Sequence, residues 1–250
     1  MNILVTGGLG HIGSKLIREY AKRPDIELIR ILDNLSTQRY SSLFNLSNNK
    51  RYEFIEEDIN SPNLKKAMSD IDIVIHLAAI TDAPSTINNP KETHKVNFIG
   101  TKNVLEASLK SDVKKFLYAS TTSVYGEAEG LIDESYAQNK YKPSSPYAES
   151  KLKAENLVRK IAKENNFNAN VLRKGTIFGT SIGMRFHTAV NKFCYLAINN
   201  KPLTVWENVL EQKRPYLGLY DAIKAYAFLE KKGKSGELYN VLTANFTLQE

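Results

Sequence analysis

Met1-Asn2-Ile3-Leu4-Val5-Thr6-Gly7-Gly8-Leu9-Gly10-His11-Ile12-Gly13 opens the chain. Residues 2–5 read as a buried strand, with apolar Ile3, Leu4 and Val5 in succession and two of them β-branched. The strand runs directly into Gly8, Gly10 and Gly13, which fit the spacing G-x-G-x-x-G, with Gly7 extending it. Beyond it, Ile12, Leu16, Ile17 and Tyr20 recur at helical spacing, predicting an amphipathic helix over 11–22. Strand, glycine turn and helix together make a cradle for a pyrophosphate. The glycines allow a tight turn and close backbone approach, and the anion meets the free N–H groups at the helix start. Asp33 follows Gly13 by 20 residues, at the end of the second predicted strand. Its carboxylate is placed to accept bonds from an adenosine ribose and would repel a 2′-phosphate. NAD is therefore favoured over NADP, with Arg30 and Arg39 near enough in sequence to keep NADP in play.

The same rhythm continues outward. Strands are predicted at 2–5, 28–32, 52–55, 73–77, 116–119, 170–172 and 238–241. Helices are predicted at 11–22, 93–109, 147–165 and 183–199. Apolar strands alternating with helices indicate an α/β fold, a Rossmann-type doubly wound parallel sheet. The rhythm holds to about residue 175, giving a dinucleotide-binding domain over 1–175. A smaller, partly interleaved C-terminal substrate lobe is expected over 176–250. Thr247-Leu248-Gln249-Glu250 has the form of a capping box, so the lobe reads as shortened.

Composition bounds the rest. The 250 residues are 42% hydrophobic and 24% charged, as in ordinary globular proteins. No apolar run reaches the ~18 residues a membrane span needs, and no basic-then-apolar leader precedes the first strand. The net charge of +7 comes from lysines and arginines scattered among acids, so no nucleic-acid surface is expected. A single cysteine, Cys194, excludes a disulfide framework and suits the cytoplasm. Its apolar neighbours Phe193, Tyr195 and Leu196 predict a buried structural thiol. No metal-ligand cluster is apparent.

Tyr147 and Lys151 stand at i, i+4, on one face of a predicted helix. Upstream, Ser120-Thr121-Thr122-Ser123-Val124-Tyr125-Gly126 directly follows a strand, at the sheet end where open α/β folds hold ligands. A phenol beside an ammonium and an oxidised nicotinamide is expected to have a lowered pKa. It can then take a hydroxyl proton while hydride leaves the same carbon, with Thr121 holding the reacting oxygen.

At these residues the chain resembles the extended short-chain dehydrogenase/reductases, specifically the NAD-dependent sugar-nucleotide epimerases and dehydratases. The matching segments run from residue 6 to residue 13, then Asp33-Asn34-Leu35, Asp58-Ile59, His76-Leu77-Ala78-Ala79, Asn97, 120–126, Tyr147 with Lys151, and Leu172-Arg173. The resemblance implies a catalytic trio of Thr121, Tyr147 and Lys151, with Lys151 also on the nicotinamide ribose. It implies a cofactor site of Gly7, Gly10, His11, Ile12, Asp33, Asn34, Asp58, Ile59, Leu77, Ala78, Ala79 and Asn97, with Asn97 supporting the active-site helix. It implies a phosphate-gripping Arg214 in Arg214-Pro215-Tyr216-Leu217; Thr122, Ser123 and Thr176 are further candidate substrate contacts, and Arg185 is a candidate for a sugar or carboxylate contact. A homodimer through the helices of 93–109 and 147–165 is also implied.

The departures narrow the chemistry. Family dehydratases carry Asp-Glu after the triad hydroxyl, where this chain has Thr122-Ser123. Thr176 replaces the usual Asn, and Gly218-Leu219-Tyr220-Asp221 replaces His-Val-Asp-Asp. The leading expectation is epimerisation of a nucleoside-diphosphate hexose or hexuronate through a transient ketone. The alternatives are a nucleotide-sugar dehydrogenase, decarboxylase or reductase, and a non-catalytic dinucleotide-binding protein.

Overall fold

The computed structural model describes every residue except 49, 128, 129 and 206–209. Ten strands are present among the described residues: β1 Asn2–Thr6, β2 Leu28–Asp33, β3 Arg51–Glu56, β4 Ile73–His76, β5 Lys115–Thr121, β6 Ala169–Lys174, β7 Thr176–Phe178, β8 Arg214–Gly218, β9 Leu238–Val241 and β10 Ala244–Phe246. The helices are α1 His11–Ala21, α2 Leu64–Ala67, α3 Ala83–Asn88, α4 Pro90–His94, α5 Thr101–Lys110, α6 Pro146–Glu164, α7 Ala189–Ile198 and α8 Leu219–Lys232.

Seven strands form one parallel sheet in the order β3-β2-β1-β4-β5-β6-β9. The central strands are buried along almost their whole length because helices cover both faces. On one face Leu16, Ile17 and Tyr20 of α1 pack with Ile223, Tyr226 and Leu229 of α8. On the other, Val104 and Leu105 of α5 pack with Ala154 and Val158 of α6. The chain crosses from one side of β1 to the other between β3 and β4, which opens a crevice at the C-terminal strand ends.

The C-terminal part is shared between two layers. β7, β8 and β10 make a separate three-stranded sheet, whereas α8 and β9 return to the main one. Thr247 and Glu250 do exchange capping-box bonds, 2.9 Å from the Thr247 N–H and 3.1 Å from the Glu250 N–H.

Three expectations require correction. The helix expected over 93–109 is broken by a π-helical segment at Lys95–Gly100. There the Thr101 hydroxyl bonds back to the Asn97 carbonyl at 2.7 Å, competing with the regular ladder. The helix expected from 183 starts only at Ala189, because the segment before it is pulled onto the glycine turn. Cys194 is exposed, since its apolar neighbours Tyr195 and Ile198 on α7 are themselves largely in solvent.

Candidate active site

The glycine turn follows from steric need. Gly7 has φ +64°, and a Cβ there would sit 2.7 Å from the Ala78 backbone. A Cβ on Gly13 would meet Gly8 Cα at 2.6 Å. Only glycine lets β1, its turn and the end of β4 approach this closely. Gly10 caps α1 without a side-chain bond, so the first N–H groups of the helix keep their donors for a ligand.

A cavity of about 540 Å³ opens in front of this turn, within the usual range for a ligand site. Gly7, Gly10, His11 and Ile12 form its floor, and Leu77, Ala78 and Ala79 form the adjoining wall. Asp33, Asn34, Asp58 and Ile59 line one end. Thr121, Thr122, Ser123, Tyr147, Thr176 and Arg185 line the wall beyond β5 and β6. Sites dispersed over 180 residues of sequence thus meet in one space.

Asp33 is preorganised. One oxygen accepts the Leu9 N–H and the other the Leu35 N–H, both at 3.1 Å. Burial raises its pKa, and these two bonds oppose the rise. Asn34 donates to Asp58 at 2.7 Å, which ties the ends of β2 and β3 together. Of the two arginines that kept NADP in play, Arg30 is committed elsewhere. It pairs with Glu53 at 2.6 Å and donates to the carbonyls of Ala67 and Ser69. Arg39 does line the cavity beside Asp33.

His11 is held as a neutral ring. Burial drives its pKa down to about 4, against the bond to the Gly179 carbonyl at 2.8 Å, while Arg185, Arg39 and Lys174 add repulsion. Nε2 therefore carries the proton and donates. Ser181 donates to the His11 carbonyl, and the Gly183 N–H donates to Ser14 Oγ. These bonds pin the 179–185 segment to α1. Asn191 completes the bracket, accepting from the Gly179 N–H and donating to the Arg185 carbonyl. Arg185 is thereby delivered to the cavity, where its Nη1 donates to Thr81.

At the other end, Ser145 caps α6 by accepting the Ala148 N–H, and Pro146 starts the helix. This sets Tyr147 on the cavity wall. Its phenol is pushed up by burial, while the Thr121 hydroxyl and the Arg185 guanidinium pull it down. Burial prevails over both, so the phenol is raised on balance. Lys151 donates to the Ala119 carbonyl at 2.9 Å and lies 5.0 Å from the Tyr118 ring centre. Burial lowers its pKa to about 7 against the pull of Glu155.

Three expected site residues stand off the cavity wall. Lys151, one turn along α6 from Tyr147, donates a hydrogen bond to the Ala119 carbonyl. Asn97 is fully buried and bonds both backbone groups of Ile80 and the Ser150 hydroxyl, so it braces α6 and does not line the cavity. Arg214 is exposed on β8, where its guanidinium donates to Gln212. Among the lining residues that the sequence did not single out are Lys174, Thr81 and Glu57.

Residues 3–241 match the family model described as "NAD dependent epimerase/dehydratase family". Human dTDP-D-glucose 4,6-dehydratase is 32% identical, aligned over 98% of this chain and 70% of that protein. The Bacillus subtilis (strain 168) protein described as uncharacterized UDP-glucose epimerase YtcB is also 32% identical, over 96% of this chain and 76% of its own length. The crystal structure of UDP-glucuronic acid 4-epimerase from Bacillus cereus in complex with UDP-glucuronic acid and NAD aligns with a TM-score of 0.89 at 29% identity. That match covers 99% of this chain and 80% of the other.

Proposed function

The chain belongs to the NAD-dependent epimerase/dehydratase family, and we propose that it epimerises a nucleoside-diphosphate sugar, a hexose or hexuronate, through a transient ketone. The family's cofactor is NAD, and the residues present fit it. The uncapped start of α1 suits the pyrophosphate, and the Asp33 carboxylate keeps lone pairs for ribose hydroxyls.

One observation carries this reading: Thr121 and Tyr147 share a cavity with the glycine turn and Asp33. Thr121 holds the oxygen of the reacting carbon, and Tyr147 as phenolate takes its proton and later returns it. When bound, NAD supplies a reversible hydride acceptor whose positive ring favours the phenolate. Lys151, one turn along α6, is assigned to the nicotinamide ribose. Thr122, Ser123 and Thr176 offer hydroxyls to the sugar, which turns over between the two hydride transfers. The lobe built on β7, β8 and β10 is assigned to the nucleotide.

Elimination of water needs an acid to protonate the leaving hydroxyl. Among the described residues, the carboxylates on the wall are Asp33, Glu57, Asp58 and Glu92, and none stands on β5 or β6. This supports an epimerase over a dehydratase. A homodimer through α5 and α6 belongs to the same reading, and light scattering at twice the chain mass tests it.

The deciding experiment incubates the NAD-loaded protein with UDP-glucose, UDP-glucuronic acid and dTDP-glucose. Epimer formation without accumulating near-ultraviolet absorbance is expected, and Tyr147→Phe should cut turnover by about 10²–10⁴ while NAD stays bound. Net NADH or a 6-deoxy-4-keto product would assign the chain to the family's other chemistries.

A further inference from the structure

Two cations, Lys174 and Arg185, face the reacting end of the cavity; the Asp82 carboxylate acts on Arg185 from a distance without pairing with it. Lys174 ends β6 and is in register with Thr121 on β5. Neighbouring strands lie about 4.8 Å apart, and partners in register project from the same face. The Lys174 amine therefore belongs beside the hydroxyl that holds the reacting oxygen, and it lines the cavity. Arg185 is on the same wall, with Nη1 engaged by Thr81 and Nε buried without a hydrogen-bond partner.

Neither cation makes an ion pair among the described residues. The carboxylate of Glu155 is committed to Arg173 and Ser120. Among the described residues, the carboxylates on the wall belong to the ends of β2 and β3 and to α4. Burial, with repulsion from Lys151 and Arg185, holds the Lys174 amine well below its ordinary range. Like charges confined together in a partly dry pocket cost free energy, and an anion placed between them recovers it.

We propose that Lys174, backed by Arg185, selects a sugar bearing a carboxylate on the ring carbon next to the one oxidised: a nucleoside-diphosphate hexuronate in preference to the hexose. Thr121 takes the oxygen of the reacting carbon, and Lys174 one strand away takes the substituent of its neighbour. The inference rests on the nucleotide-sugar reading above. The diphosphate is common to both sugars, so it produces no preference between them. A preference therefore isolates the contact to the sugar's own acid.

The test is calorimetric binding of UDP-glucuronic acid and UDP-glucose, and of their thymidine counterparts, to the NAD-loaded protein, with no turnover required. The native chain should bind the hexuronate at least about tenfold more tightly than the hexose, as expected for a hydrogen bond to a charged group. Lys174→Met should collapse that ratio towards one, and Lys174→Arg should restore most of it. Equal affinities in the native chain overturn the proposal. So does a Lys174→Met variant that weakens both sugars by the same factor, which would give Lys174 a diphosphate or structural role. Binding of none of the four sugars defeats the nucleotide-sugar reading itself. Tight hexuronate binding without epimer formation defeats only the epimerase.

Discussion

Replacing Glu155 by Gln should destabilise the protein by about 3–5 kcal/mol, the cost of leaving one member of a buried ion pair uncompensated. Glu155 is 0% exposed and Arg173 2%. Arg173 donates Nε to both carboxylate oxygens at 3.0 and 3.1 Å and Nη2 to one of them at 2.6 Å. Its remaining donor goes to the Tyr141 hydroxyl at 2.9 Å, and the rings of Tyr125 and Tyr141 enclose the guanidinium at 4.7 and 4.8 Å. The carboxylate also receives the Ser120 hydroxyl. Gln keeps the volume, so no cavity term enters and the loss is electrostatic. Arg173 cannot escape by discharging, because a guanidinium stays protonated even without its partner. Against a total stability of about 5–15 kcal/mol, the loss is large. Urea unfolding should show a midpoint lower by about 1–2 M with an unchanged slope. The double variant Glu155→Leu, Arg173→Met should regain a good part of the loss, since it leaves no lone charge. A midpoint change worth under about 1 kcal/mol for Glu155→Gln would refute the reasoning.

Asp33→Ala should weaken NAD binding by about 10- to 100-fold, because it removes a charged acceptor and frees the Leu9 and Leu35 N–H groups. With Arg39 left nearby, the NADP-to-NAD affinity ratio should rise, and titration with both cofactors measures it. Stability should fall with acid from about pH 6.5 downwards. Burial lowers His76 to about 3 and His11 to about 4, so the unfolded chain binds protons first as pH drops below the ordinary histidine value. A stability flat between pH 7 and 5 would contradict those neutral rings. Exposed Cys194 should react with a thiol reagent to one equivalent in the native state, and protection until unfolding would return it to the core.

The sheet was legible because its signals are local. The run from Asn2 to Thr6, the glycine spacing and the face of Leu16, Ile17 and Tyr20 each sit within one element. Element α8 carries the same kind of stripe in Ala222, Ile223, Tyr226 and Leu229, yet it was missed. Its N-cap is Gly218, which has no side chain to announce the helix. The sheet of β7, β8 and β10 has strands of three to five residues, too short for a period to show. Cys194 misled because apolar neighbours along a chain need not be neighbours in a core. Lys174 was invisible as a site residue because its register with Thr121 is a relation between strands.

The same non-local logic explains why Tyr147 stands where it does. Nothing in the sequence around it fixes its height above the sheet. Ser145 sets the start of α6, but the helix is located by buried polar anchors further along. Asn97 grips Ser150 from the π-helical segment, and Glu155 grips Arg173 on β6 and Ser120 on β5. Asn97 and Glu155 are both fully buried. They hold α6 against the two strands that end in Thr121 and Lys174. A phenol carried on a helix anchored in this way keeps its distance to Thr121 without help from the loop before it. The geometry of proton transfer is therefore a property of the core, and weakening either anchor should lower turnover before it lowers cofactor affinity.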